Sequence, residues 1–343
     1  MHELAGVPLS TLTTLRLGGP ARRLAEVDKP DELVEAVRAA DAVGEPVLIL
    51  GGGSNVVVAD AGFDGAVIKI ATAGIHVQPS TDLVAVTVQA GEDWDALVAT
   101  AIQEGWAGLE AMSGIPGLVG ATPIQNVGAY GQEVAETVTS VTAYNRTVGE
   151  VTVLQPADCA FSYRNSALKG NDRFVVLDVT YTLVRSRQSG PVRYPELAGA
   201  LDVEVGAQVS AAAVRAAVLG LRRRKGMVLD PSDPDATSAG SFFTNPIVST
   251  DVAARLPADV PRWPAADGQV KVSAAWLIER AGFARGYGHG AARISTKHTL
   301  ALTNRGGATT AELLALAREL RDGVRARFGI TLENEPVLVG ATL

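Results

Sequence analysis

The sequence predicts an α+β protein built from more than one domain. Three observations carry that expectation. The chain has 343 residues, enough for about two or three domains. Short apolar runs of strand length and amphipathic helical stretches are mixed along it without strict alternation. At RSRQSGP (185–191) the composition turns polar and rich in breakers, which places a boundary there. The expected division therefore falls between 187 and 188, with 188–343 as the later domain.

The elements follow from local pattern. TLRLGGP (14–20) reads as a short strand closing on a glycine turn. A helix follows, with Pro30 in its first turn, Asp31 and Glu32 at its positive end and Leu33, Val34, Val37 and Ala40 on one face; Gly44 ends it. PVLIL (46–50) is a buried strand running into GGGSN (51–55) and then VVVAD (56–60). AVIKI (66–70), IHVQ (75–78) and LVAVTVQA (83–90) are further strands. A helix over 91–105 turns Trp94, Leu97, Val98, Ala101 and Ile102 inward. VTSVTAYN (138–145) and EVTVL (150–154) form a hairpin around Thr147–Val148–Gly149, and FVVLDVTYTLV (174–184) is a long strand. Beyond the boundary come a helix from about Gln208 to Lys225, a loop over 226–240, and a strand starting at GSFFTNPIV (240–248). SAAWLIERAG (273–282) is a helix, HTLALTN (298–304) a strand, 308–329 a helix capped by Thr309 or Thr310, and ITLENEPVLVG (330–340) a final strand.

Composition narrows the function classes. A 47% hydrophobic and 20% charged chain is that of an ordinary folded protein. A net charge of −7 argues against bulk nucleic-acid or anionic-membrane binding. The single cysteine, Cys159, excludes an intrachain disulfide framework and any multi-cysteine metal site, and His2, His76, His289 and His298 have no metal-ligand spacing. The N-terminus lacks a secretory pattern and no apolar run is of membrane-spanning length, so a cytoplasmic protein is expected.

The stretch most loaded with chemistry is SGIPGLVGATPIQNVGAYG (113–131), with glycines at 114, 117, 120, 128 and 131 and no formal charge. Glycine and proline disfavour regular structure across it. So long a loop needs a partner for its peptide groups, and a phosphate-bearing cofactor suits glycines that let several N–H groups converge on an anion; a plain surface connector is the alternative. GGGSN (51–55) is a second candidate cradle. It is no Rossmann fingerprint, because the spacing is wrong and a valine run follows where a helix belongs. Gln125 and Asn126 suit polar cofactor edges or local backbone equally well. Ser241 lies outside any G-x-S-x-G elbow, which disfavours a hydrolase nucleophile.

Six motifs in order give these features a common context: GGGSN at 51–55, GIPGLVGATPIQNVGAYG at 114–131, SYR at 162–164, RRRKG at 222–226, GSFFTNP at 240–246 and LENEP at 332–336. Together they resemble the UDP-N-acetylenolpyruvoylglucosamine reductase family, from about Thr14 to the C-terminus. The resemblance implies an FAD-binding region of the vanillyl-alcohol-oxidase type with two subdomains over 14–187, a C-terminal α+β substrate-binding domain, tightly but non-covalently bound FAD, and NADPH as co-substrate. It implies cofactor contacts at Gly51, Gly52, Gly53, Ser54, Asn55, Ser113, Gly114, Ile115, Gly117, Gly120, Gln125, Asn126 and Gly128. Arg164, Ser241 and Glu335 are the implied catalytic residues: Ser241 as proton donor, Arg164 as the fork that stabilises a growing carboxylate charge, and Glu335, chosen over Glu333 by the Leu-x-x-Glu pattern, as a donor whose acidity burial would tune. Tyr130, Tyr163, Tyr194, Lys225, Asn245 and His298 are the implied substrate contacts, in a monomeric enzyme with no metal and no nucleic-acid or membrane partner. Two departures stand out. Val337 occupies a position where the family often has arginine, and His298 one where it often has glutamine; a polar contact kept by His298 would make binding vary with pH near neutrality. A flavin oxidase on the same scaffold and a nucleotide-binding module without chemistry are the competing readings.

Overall fold

The computed structural model describes His2–Leu343 and is assembled as two compact units, each gathered from separate stretches of chain. The first holds the residues up to Val7, Ala21–Gly53 and Phe63–Arg224; the second holds Pro8–Pro20, Ser54–Gly62 and Lys225–Leu343.

Two sheets build the first unit. One has four strands in the order His2–Ala5, Ala21–Val27, Phe63–Ile70, Val47–Leu50, antiparallel at the first pair and parallel at the other two. The helix Pro30–Ala42 makes the crossover from Ala21–Val27 to Val47–Leu50, which run parallel on either side of Phe63–Ile70, and it buries Leu33, Val37 and Ala40 as its periodicity predicts. The second sheet is antiparallel along Glu150–Leu154, Val138–Asn145, Phe174–Arg185, Leu83–Gln89 and Ile75–Pro79, with Trp106–Ala107 paired to the end of the long strand. Side chains from both sheets meet in one core, where Trp94 lies 5.9 Å from Tyr181 and the Tyr181 hydroxyl bonds that of Thr122.

The second unit joins its early and late segments by a parallel pair, Val56–Val58 with Val337–Val339. It adds an antiparallel sheet of Ser238–Ser241, Ala301–Asn304 and Ala292–Ile294, and another of Ile247–Val248, Val270–Val272 and Arg262–Pro264. The helices Ala274–Arg280 and Thr310–Phe328 close over a core containing Phe242, Phe243, Leu277, Leu313 and Leu320. Thr309 and Glu312 form a reciprocal capping box on the second of these helices, and Asp60 accepts from the N–H groups of Thr310 and Ala311.

Some expectations are corrected. Residues 14–20 form no strand: the Thr13 hydroxyl donates to the Leu17 carbonyl and accepts from the Leu17 amide, and Arg16 takes a left-handed φ of 52°, so the chain turns. The strand Ala21–Val27 that follows was not expected, its two arginines hiding a pattern in which Ala21, Leu24, Ala25 and Val27 are buried. The final strand shrinks to Val337–Val339, after Pro336. The compact units change over after Arg224, later than the boundary expected at 187, because helices Pro195–Leu201 and Ala211–Arg224 bury Leu197, Val214, Val218 and Leu221 with Ala111 and Val192 in the first unit.

Candidate active site

In the first unit the two glycine loops meet. A Cβ on Gly52 would stand 3.0 Å from the Cα of Gly117, and one on Gly120 would stand 2.6 Å from the Cβ of Ala90. Only main chain therefore passes between Gly52 and Gly117, and Gly117 adopts a φ of 126° that favours glycine. The long loop is pinned beside the Trp94–Glu104 helix by bonds from Trp94 N–H to the Gly117 carbonyl and from Val119 N–H to the Glu92 carbonyl. Ile115 and Gln125 are half-buried along it. These loops fit a phosphate-bearing dinucleotide in one recorded respect: two distant segments bring their main chains together with no side chain between them.

Several expected cofactor side chains have internal work. The Ser113 hydroxyl, fully buried, donates to the Glu110 carbonyl. The Asn126 carboxamide donates to Glu133 and to the Ser162 carbonyl and accepts from Ala135 N–H. Gly114 is clamped from both sides. Its N–H donates to Asp95 at 2.6 Å, and its carbonyl accepts from Arg222 Nε at 3.1 Å. Asp95 in turn receives a two-pronged bond from Arg215 at 2.5 and 2.9 Å. Sequence reasoning missed this clamp; Asp95 near a helix start and arginines seven residues apart on the Ala211–Arg224 helix were the only signal. Burial pushes the Arg222 guanidinium below its usual range.

Arg164 sits at a φ of 54°, with Nη2 on the Gly128 carbonyl at 2.5 Å and Nη1 3.6 Å from the Glu133 carboxylate. Its guanidinium lies 5.2 Å from the centre of the Tyr163 ring. Tyr130 and Tyr194 meet edge to face at 5.7 Å, and burial pushes the Tyr130 phenol up to about 12. The first unit thus gathers Arg164, Gly128 and the expected tyrosines, and adds Glu133.

The second unit brings Ser241 and Glu335 into adjoining segments. Ser241 pairs with Ala301; the next residue, Phe242, donates its N–H to the Leu300 carbonyl and accepts at its own carbonyl from Glu335 N–H at 2.8 Å. Asn55 joins them: its side chain donates to the Glu335 carbonyl at 3.4 Å and its carbonyl accepts from Val337 N–H. Ser54 and Lys225 are half-buried. His298 stands in the turn before Ala301, its carbonyl accepting from Ala301 N–H and its own N–H on the Ser295 hydroxyl. The Asn245 side-chain oxygen accepts from Ala274 N–H at the start of the Ala274–Arg280 helix.

Two family profiles match the chain: an FAD-binding domain over 21–155, and the UDP-N-acetylenolpyruvoylglucosamine reductase C-terminal domain over 231–339. A UDP-N-acetylenolpyruvoylglucosamine reductase of Thermobifida fusca is 58% identical, covering 98% of each chain. The chain belongs to the UDP-N-acetylenolpyruvoylglucosamine reductase family. A reductase of that name from Streptomyces coelicolor is 55% identical over 100% of this chain and 92% of its own. The crystal structure of the Thermus caldophilus reductase superposes with a TM-score of 0.67 at 25% identity, covering 98% of both chains. These matches bear out the α+β architecture with its FAD-binding region, and make FAD the cofactor and NADPH its reductant. The reductase C-terminal profile begins inside the loop that leads to Ser241.

Proposed function

We propose that the chain reduces UDP-N-acetyl-3-O-(1-carboxyvinyl)-glucosamine to UDP-N-acetylmuramate in the supply of peptidoglycan precursors. The observation that carries this reading is kinship along the full chain with reductases named for that substrate. Bound FAD supplies hydride transfer from NADPH to C3 of the enolpyruvyl group. The first unit takes the FAD-binding role and the second contributes to substrate binding. Gly51–Gly53 and Gly117 offer main chain to the cofactor, while Gly114, Gly120 and Gly128, whose main-chain groups bond Asp95, Arg222, Ala90 and Arg164, shape the loop beside it.

Each catalytic assignment has a chemical reason. The Ser241 hydroxyl gives a proton to C2, the carbon left electron-rich when C3 has gained hydride; a carbanionic centre within hydrogen-bond reach draws a proton from so weak an acid. Arg164 pairs its planar fork with the substrate carboxylate, on which negative charge grows. A neutral Glu335 donates to the reaction intermediate. Lys225 and Asn245 hold the diphosphate, and Tyr130, Tyr163, Tyr194 and His298 bound the rest of the sugar nucleotide. The enzyme works as a monomer in the cytoplasm; among the described residues no helix is long and apolar enough to cross a membrane.

A flavin oxidase on this scaffold is less well supported. Such enzymes often tether flavin through a cysteine or histidine, and Cys159 is buried with its thiol pushed up to about 11. One experiment tests the proposal. The purified protein is expected to be yellow, to bleach with NADPH under anaerobic conditions, and to recolour on adding the enolpyruvyl sugar nucleotide. Bleaching that only oxygen reverses would favour the oxidase.

A further inference from the structure

The chain reaches Ser241 through 226–240, a proline- and aspartate-rich stretch with no regular structure before Ser238. In its middle lies Asp235, 3% exposed and outside the catalytic set. A carboxylate buried so deeply is costly unless donors surround it. They do. Asp235 accepts from Thr296 N–H at 2.7 Å, from the Thr296 hydroxyl at 2.8 Å, and from both terminal nitrogens of Arg305 at 2.5 and 3.3 Å. Gly226 leaves it room: a Cβ there would come within 2.8 Å of the Asp235 Cβ.

The partners fall at the two ends of one segment. Thr296 begins it and Arg305 ends it, with the His298 turn and the strand Ala301–Asn304 between them. Ser241 pairs with Ala301 inside that same segment. Six residues upstream of Ser241, a single carboxylate thus fastens both ends of the strand-bearing segment on which Ser241 rests. The intervening residues add further ties. Asn304 N–H bonds the Thr237 carbonyl, the Thr14 hydroxyl bonds the Ser238 carbonyl, and the pairing is irregular between Ser238 and Ser241, where Gly240 has a φ of 71°. Phe242 N–H bonds the Leu300 carbonyl within that same segment, so the placement of the Ser241 hydroxyl depends on what holds the segment beneath it.

We infer that Asp235 is a positioning residue for Ser241: by joining Thr296 to Arg305 it sets where the serine hydroxyl stands when the proton is delivered. The inference rests on Ser241 being the proton donor, and the test separates the two.

Wild type, Asp235→Asn, Ser241→Ala and the double variant are compared by anaerobic stopped-flow, with flavin content and thermal midpoint recorded for each. Asp235→Asn keeps the shape but loses the charge that faces Arg305. Its flavin reduction by NADPH is expected to stay within about twofold of wild type. Its reoxidation by the enolpyruvyl sugar nucleotide should slow roughly 10–100-fold, the scale of a small misplacement of a reacting group. In the Ser241→Ala background the same substitution should add nothing, because the group it positions is gone. A further slowing there, equal slowing of both half-reactions in Asp235→Asn, or unchanged reoxidation overturns the inference. Normal reoxidation by Ser241→Ala alone overturns the serine assignment, and the positioning role with it. Should Asp235→Asn fail to fold, Arg305→Lys loses the fork while keeping charge; it must show the same one-sided slowing, absent from the Ser241→Ala background, or the inference fails.

Discussion

The backbone amide of Glu335 donates to the carbonyl of Phe242 at 2.8 Å, so Glu335 sits one residue across from Ser241 on an adjoining segment. Main-chain bonds, which a side-chain substitution leaves in place, set that neighbourhood. Glu335→Gln should therefore preserve the fold and the reduction of flavin by NADPH while substrate reduction falls by about 10²–10⁴-fold, the span associated with losing a general acid. Separate stopped-flow measurement of the two half-reactions checks this. A normal substrate step would make Glu335 a strand-end residue only.

Arg164→Lys keeps the charge but loses the two-nitrogen reach from the Gly128 carbonyl toward Glu133. Turnover with the enolpyruvyl substrate should drop at least about tenfold, with flavin content unchanged. Steady-state kinetics beside the absorbance ratio of flavin to protein decides it; undiminished turnover would leave Arg164 as support for the glycine loop.

The cradle can be probed without breaking it. A Cβ at Gly51 would lie 3.6 Å from Leu118, an ordinary contact, whereas one at Gly52 would press on the Gly117 backbone at 3.0 Å. Gly51→Ala is expected to fold with a normal thermal midpoint and to purify with less FAD, since the methyl fills space only a ligand would claim. Gly52→Ala should lose both FAD and thermal stability. Full flavin content in both would place the cofactor phosphates elsewhere.

Acid should weaken the protein through two carboxylates. Burial pushes Asp235 and Asp95 upward, but hydrogen bonds from Ser295, Thr296 and Arg305 to the first, and from Arg215 and Gly114 to the second, hold both below the ordinary carboxylate range. A lowered native pKa means that the folded state takes up the proton less readily than the unfolded chain. The stabilisation is whole above the unfolded value near ~4 and disappears as pH falls through the lower native one. Thermal midpoints from pH 7 to pH 3 should fall less steeply for Asp235→Asn than for wild type. Parallel curves would remove Asp235 from the acid response.

What the sequence made legible follows from the physics of each signal. The helices at Pro30–Ala42, Trp94–Glu104 and Thr310–Phe328 declare themselves because burial of one face imposes a period and their ends carry recognisable residues. The glycine loops stand out because so few other functions tolerate that composition. Residues 14–20 misled because Thr-Leu-Arg-Leu alternates like a strand, while a threonine hydroxyl turns the chain instead. The Asp95–Gly114–Arg222 clamp and the Asp235 staple were invisible because nothing in spacing says that a side chain will seek a partner 108 or 61 residues away. Ser241 and Glu335 were named from resemblance, and only the strand pairing puts their segments side by side.

The parallel pair of Val56–Val58 with Val337–Val339 has a consequence for biosynthesis. The first of these strands must wait for everything between Val58 and Val337 to be made before its partner exists. Pro8–Pro20 waits likewise, since the Thr14 hydroxyl and the carbonyls of Leu15 and Arg16 bond residues beyond 237. The unit that carries Ser241 thus cannot be completed until Val337–Val339 has been made. Nor can it be recovered by expressing the C-terminal residues alone, which would lack Asp60 and the Val56–Val58 edge. Closure of this unit falls on Val337–Val339: a chain cut short of Val337 keeps every motif before that point and lacks the strand that pairs with Val56–Val58.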